Sequence, residues 1–304
     1  MSILAFVLIF CSAGLHASWN FIAKKSHMNL PFYATLVVVD ALMGAWIWFA
    51  LPPGLTQLDR GFYAALCGTA LGETLYCLGL ILAYRRMDMS SAYPMMRSVP
   101  LLLTALVTAL LNWGDPLSAT AKFGMCVVFT GCMIMPLGKF SDFRISSYFD
   151  RKIVFVLMAA CGTTAYTIFD SRGQELMRAC MPQVTETMIS CTYYELRSLA
   201  VLVPVGIFAF ALPGARRDAA ELRKSGGGTA VLAGIFAGLT YILVLAAMNY
   251  VKNVSYVQAF RQLGLVIGML EGIFILRERC TWTKVVGVTL IVSGLVMTVI
   301  KIKP

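Results

Sequence analysis

Apolar residues run along this chain in blocks of about twenty, cut by short clusters of charge, proline and glycine. A helix rises about 1.5 Å per residue, so about 20 apolar residues cross a hydrocarbon core about 30 Å thick. Barrel strands would be half as long and would alternate in polarity. The blocks predict ten helices, at residues 3–23, 32–51, 62–84, 92–112, 119–137, 153–170, 188–211, 229–250, 254–276 and 283–301. The sixth is the shortest and ends in Asp170 and Arg172. The first carries no basic residues ahead of it and continues through His16, Trp19 and Asn20 to Lys24 and Lys25. It reads as a membrane helix rather than a cleaved leader.

Composition narrows the class. The 304 residues are 59% hydrophobic and 13% charged, with a mean hydropathy of +0.78. An ordinary soluble domain has about 45–50% and about 25%. A soluble enzyme, a disordered chain and a secreted disulfide scaffold are excluded. What remains is an all-α integral membrane protein with the lipid bilayer as a partner. The net charge of +10 does not imply nucleic acid, because no basic run is interleaved with aromatics on an exposed face. The nine cysteines include no CxxC and mostly lie inside apolar blocks, where a thiol acts as a small hydrophobe. No metal, redox group or other cofactor is expected.

The chain repeats itself. Gly68-x3-Gly72 in helix three matches Gly234-x3-Gly238 in helix eight. Ser91, Arg97, Leu101 and Leu106 in helix four match Ser255, Arg261, Leu265 and Leu270 in helix nine at the same spacings. Gly124 and Gly131 in helix five match Gly287 and Gly294 in helix ten. Cys11, His16, Trp19 and Asn20 find weaker counterparts in Cys161, Tyr166, Phe169 and Asp170. The expected organisation is a first five-helix repeat over 1–138, a linker over 139–152 and a second five-helix repeat over 153–304. An odd number of helices per half forces the second half to enter the membrane in the opposite sense. The repeats are then inverted, as in many secondary transporters, whose substrate sites lie near the midplane where the halves meet.

Fourteen basic residues fall in one set of loops: Lys24, Lys25, Arg85, Arg86, Lys139, Arg144, Arg151, Lys152, Arg216, Arg217, Arg223, Lys224, Arg277 and Arg279. Six fall on the other side: Arg60, Arg172, Arg178, Lys252, Lys301 and Lys303. The positive-inside rule places the larger set in the cytoplasm and both termini outside.

The stretch Tyr84-Arg85-Arg86-Met87-Asp88-Met89-Ser90-Ser91-Ala92-Tyr93-Pro94-Met95-Met96-Arg97 resembles the helix-three to helix-four signature of EamA-type proteins of the drug/metabolite transporter superfamily. The opening His16-Ala17-Ser18-Trp19-Asn20 with Lys24 is similar to their first helix. The turns Gly114-Asp115-Pro116-Leu117-Ser118 and Arg277-Glu278-Arg279-Cys280-Thr281 depart from the family's Gly-Glu-x-Leu-Ser-like form, the first by Asp and Pro, the second by lacking Leu. The resemblance implies a ten-helix inner-membrane carrier of small metabolites with a central cavity. It also implies cytoplasmic termini, opposite to the charge bias.

Ionisable groups inside a span are costly and need a reason; here they are Asp40, Glu73, Arg97, Glu195, Arg197, Arg261 and Glu271. Arg97 and Arg261 recur at equivalent positions, and a guanidinium presents a planar fork of donors suited to carboxylate or phosphate. The alternatives are an ion pair with Glu73 or Glu271, or snorkelling to headgroups. Tyr93 and Pro94 precede Arg97 by one turn, and Pro94 and Pro100 can kink helix four and free carbonyls. Gln262 follows Arg261. His16, Trp19 and Asn20 share one helix face, fit either for a cavity wall or for an interfacial Trp and an interhelical Asn bond; Tyr166 is a partial counterpart. Glu73 and Glu271 are the proton-coupling candidates, since intramembrane carboxyls commonly serve as proton relays. Gly264, Gly268 and Gly272 form a ladder suited to close helix packing, with a homodimer contact as the functional alternative. The Arg216–Gly228 loop lacks the terminal Lys-Ser/Thr pair of a phosphate loop and reads as a flexible linker. The expected function is a secondary transporter of a small polar, anionic metabolite working by alternating access. An accessory subunit, a membrane enzyme and a flippase for a lipid-linked anion stand as alternatives. The two histidines, His16 and His27, form no catalytic array.

Overall fold

The computed structural model describes residues 2–25, 29–87, 89–142, 151–212, 214–224, 227–274, 277 and 279–300. Regular structure among them is helical: α1 (Ile3–Lys25), α2 (Leu30–Gly44), α3 (Arg60–Arg86), α4 (Met89–Leu111), α5 (Ala119–Ile134), α6 (Ile153–Cys180), α7 (Glu186–Ala211), α8 (Ala215–Lys224), α9 (Gly228–Met248), α10 (Ser255–Phe260), α11 (Leu263–Phe274) and α12 (Trp282–Val299). Nine stretches among the described residues are long and apolar enough to cross a membrane; α5, at 16 residues, is shorter. The protein is a multi-pass membrane protein.

The helix starts are written in the sequence. Asn29, Asp59, Ser118, Thr185 and Thr281 each accept a hydrogen bond from the backbone N–H three residues on, capping α2, α3, α5, α7 and α12. Pro follows the Asn29 cap at the start of α2, where its missing N–H costs nothing. The outer surface is apolar: Leu42, Phe49, Leu71, Leu110, Phe210 and Phe274 are exposed, as lipid-facing side chains must be.

Three expectations are corrected. The 153–170 block continues to Cys180, because Asp170 is wholly buried and hydrogen-bonded rather than ending the helix. The Arg216–Gly228 linker contains the ten-residue helix α8. The 254–276 helix is two helices, α10 and α11, broken at Arg261 and Gln262. Most of the expected 139–152 linker, and Lys24, Lys25 and His27 as side chains, lie outside what is described.

Helix contacts obey an exchange rule. Replace each helix by its counterpart in the other half, with α10 and α11 standing for α4. The contact α3–α6 becomes α9–α1, α2–α9 becomes α7–α3, and α4–α6 becomes α11–α1; α2–α7 and α5–α12 map onto themselves. The self-paired α5 and α12 run antiparallel, Gly124 lying beside Gly294 and Thr298, and Gly131 beside Gly287 and Ile291. An antiparallel pair that maps onto itself puts the twofold axis across the helices, in the plane of the membrane. A Cβ on Gly131 would lie 2.7 Å from the Gly287 carbonyl oxygen, so these helices meet backbone to backbone. The glycine pairs of helices three and eight match in spacing but not in place: Gly68 and Gly72 meet α6, while Gly234 and Gly238 meet α2 and α7.

Candidate functional site

Halfway along the spans the two bundles enclose a cavity with about 70 Å³ open to the centre of a water-sized sphere. That is room for several waters or a small solute. Its walls include His16, Trp19 and Asn20 of α1, Asp40 of α2, Glu73 of α3, and Tyr93 and Arg97 of α4. From the second half come Tyr166 of α6, Arg197 of α7, Tyr241 of α9, Gln258 of α10 and Arg261 at the helix break. Glu73 is near the middle of the 27-residue α3, so the site is at mid-depth. On α3 the lining positions continue to Leu80 and Tyr84 but do not include Thr69. The cavity therefore opens toward the face that carries Arg85, Arg86, Lys139 and α8. A separate depression of about 120 Å³ lies on the opposite face, around Trp113, Arg172, Glu175 and Lys252.

The two equivalent arginines are clasped together. Arg97 Nη2 donates to the Arg261 carbonyl at 2.9 Å, and Gln262 Nε2 donates to the Arg97 carbonyl at 3.0 Å. At the break between α10 and α11 the Arg261 carbonyl accepts from the Gly264 N–H and from the α4 side chain, and the reverse bond lands three residues before Pro100, which lacks an N–H. Gln262 also donates to Gln258 and is fully buried outside the cavity. Its expected place among the substrate ligands is thus taken by a structural clasp. Neither Arg97 nor Arg261 pairs with a carboxylate among the described residues. Arg97 Nε and Arg261 Nη1 are buried without a hydrogen-bond partner.

His16 stands between two groups that can only donate. Trp19 Nε1–H donates to His16 Nδ1 at 3.0 Å, and Arg97 Nη1 faces His16 Nε2 at 2.9 Å. A neutral imidazole has one acceptor and one N–H. With Nδ1 accepting from Trp19, Nε2 carries the proton and points it at a guanidinium N–H. An oxygen placed between them would accept from both. In the second half Arg261 lies beside the Tyr166 hydroxyl, which can accept, so the mismatch belongs to the first half alone.

In the cavity wall and behind it a second network holds the bundles together. Arg197 is 3% exposed and pairs with Glu73, with Nε 3.6 Å from Asp170. Tyr33 donates to Glu73 at 2.6 Å. Asp170 accepts from Thr69 at 2.7 Å, from Tyr193 at 2.9 Å and from Tyr241. The Arg197 guanidinium lies over the Tyr241 ring, 3.9 Å from its centroid, and Arg261 lies 5.9 Å from the same centroid. Glu73 therefore neutralises Arg197, not Arg97 or Arg261. Glu271 lies on α11, half-exposed and away from the cavity, which separates it from the other coupling candidate. Sequence reasoning singled out Arg197 and Asp40 as ionisable but left them outside the site; Tyr241, Tyr76 and Gln258 it missed. Tyr193-Tyr194-Glu195-x-Arg197, a polar cluster midway along α7, was the available signal.

None of the curated protein sequences compared is similar to this chain. A solved crystal structure of a protein superposes with a TM-score of 0.67, over 97% of this chain and 96% of the other, at 15% sequence identity. At that identity the likeness shows the fold alone. Residues 151–300 match the EamA-like transporter family, covering all but the end of the second bundle, with Arg197, Tyr241 and Arg261. Through those residues the second half of the chain belongs to the EamA-like transporter family.

Proposed function

We propose that this protein is a secondary transporter carrying a small polar, anionic metabolite across the inner (plasma) membrane by alternating access. The observation that carries the reading is the pair of arginines at one mid-depth cavity, with buried free donors and no carboxylate partner among the described residues. An anion bound there would satisfy Arg97 Nε, Arg261 Nη1 and the His16 N–H together. Tyr93, Trp19, Asn20 and Tyr166 form walls around it. The one-sided opening and the depression on the opposite face support alternating access. Between them stands the Asp170–Arg197–Glu73 network, which would have to loosen as the halves rock. Glu73 lines the cavity and touches that network, so it is the carboxylate placed to couple substrate to protons or to an exchanged solute.

The test is uptake and counterflow of labelled carboxylates and phosphonates in proteoliposomes. Arg97→Ala and Arg261→Ala should lose transport while inserting normally. Wild-type transport in both variants would remove the arginines from the site. Transport of a lipid-linked anion in place of soluble ones would favour the flippase alternative.

A further inference from the structure

The cavity's charge is balanced in total and divided in space. Among the described residues around it, Arg97, Arg261 and Arg197 face Asp40, Glu73 and Asp170. At the α4 and α10–α11 pole two guanidinium groups have no carboxylate. At the other pole one guanidinium meets three carboxyl groups, an excess of two negative charges when all are ionised.

The part of that excess without a partner lies on one residue. Glu73 is satisfied by Tyr33 and Arg197, and Asp170 by Thr69, Tyr193, Tyr241 and Arg197. Asp40 makes no well-formed hydrogen bond among the described residues, although the Tyr194 hydroxyl is close enough to interact with it. Asp40 is 9% exposed, it lines the cavity, and its Oδ1 is buried without a partner. The Tyr194 hydroxyl is also without a well-formed hydrogen bond. Gln258 Oε1, another buried acceptor on the cavity wall, is likewise unsatisfied. A buried acceptor left open costs free energy until a donor arrives, and a buried carboxylate calls for a cation.

We propose that the substrate is zwitterionic: its anionic group binds between Arg97, Arg261 and His16, and its ammonium group binds Asp40. This rests on the anionic reading above and adds the second pole. A ligand with both charges completes each pole without leaving a net charge in the membrane interior. A plain anion fills the arginine pole and leaves the Asp40 pole open.

Matched pairs of ligands test it on the full chain in lipid nanodiscs. The first series is glycine, 3-aminopropanoate and 4-aminobutanoate against acetate, propanoate and butanoate. The second is aminomethylphosphonate and 2-aminoethylphosphonate against their amine-free analogues, which separates carboxylate from phosphonate as the anionic group. Dissociation constants are read by calorimetry, for wild type and for Asp40→Asn. The expected result is that at least one amine-bearing member binds wild type about tenfold or more tightly than its amine-free partner, with the ratio falling toward one in Asp40→Asn. Equal affinity within every wild-type pair, with binding lost in Arg97→Ala, overturns the zwitterion and leaves the anionic reading standing. Absence of binding by every member to wild type overturns both. If Asp40→Asn fails to fold, the wild-type ratios alone decide. A wild-type preference that persists undiminished in a folded Asp40→Asn protein removes Asp40 as the ammonium site.

Discussion

Arg97 offers the sharpest separation between binding and folding. Its guanidinium has five N–H donors. One is spent on the Arg261 carbonyl, one faces His16, and Nε is buried and free. An anion seated at the Arg97 pole would take two charge-assisted bonds, each worth about 1.5–3 kcal/mol. Arg97→Ala removes both, so the dissociation constant should rise by a factor of about 100 or more. Arg97→Lys keeps the charge but loses the fork; losing one bond of about 1.5 kcal/mol gives a rise of about tenfold. In Arg97→Ala the Arg261 carbonyl loses one of its two donors and keeps the Gly264 N–H, a stability cost of at most about 1 kcal/mol. Water from the cavity can offset part of that. The assay is calorimetric titration of the tightest-binding anion, with a thermal melt of each variant beside it. Affinity unchanged in a folded Arg97→Ala protein would refute the reasoning, and equal affinity in Arg97→Lys and wild type would refute the part played by the fork.

Arg197→Met should act on the fold: it strands Glu73 and Asp170, and breaking a buried pair costs about 3–5 kcal/mol. Adding Glu73→Gln should recover part of the loss in a thermal melt, whereas additive losses would show that the pair is not coupled. Gly131→Leu should destabilise the α5–α12 seam, where even a Cβ would meet the Gly287 carbonyl at 2.7 Å; an unchanged melting temperature would show the seam to be loose. Single cysteines at Lys139 and Ser118, in a cysteine-free background, lie on opposite faces. The basic bias predicts that an impermeant reagent on intact cells labels position 118, while labelling of 139 alone would reverse that orientation and agree with the family resemblance.

The sequence by itself determined the class of fold, because a hydrocarbon solvent leaves a chain few choices. Backbone groups in lipid must be satisfied within a segment, so blocks of apolar residues become helices, and Asn29, Asp59, Ser118, Thr185 and Thr281 start five of them where their side chains can cap. The equivalence of Arg97 and Arg261 was legible too, since it rests on spacing. Tertiary structure decided what spacing cannot encode. Asp170 reads as a helix end in one dimension, and three hydroxyls and Arg197 make it the middle of a long helix. Gln262 reads as a cavity ligand because it follows Arg261, yet at the helix break its amide turns toward the Arg97 carbonyl. Glu73 reads as a partner for either equivalent arginine, and packing of α3 against α7 gives it to Arg197 instead. Asp40 and Tyr241 become cavity walls only when the halves meet. Which polar group meets which depends on helix rotation and on the partner helix, and those are set by contacts between residues more than a hundred positions apart.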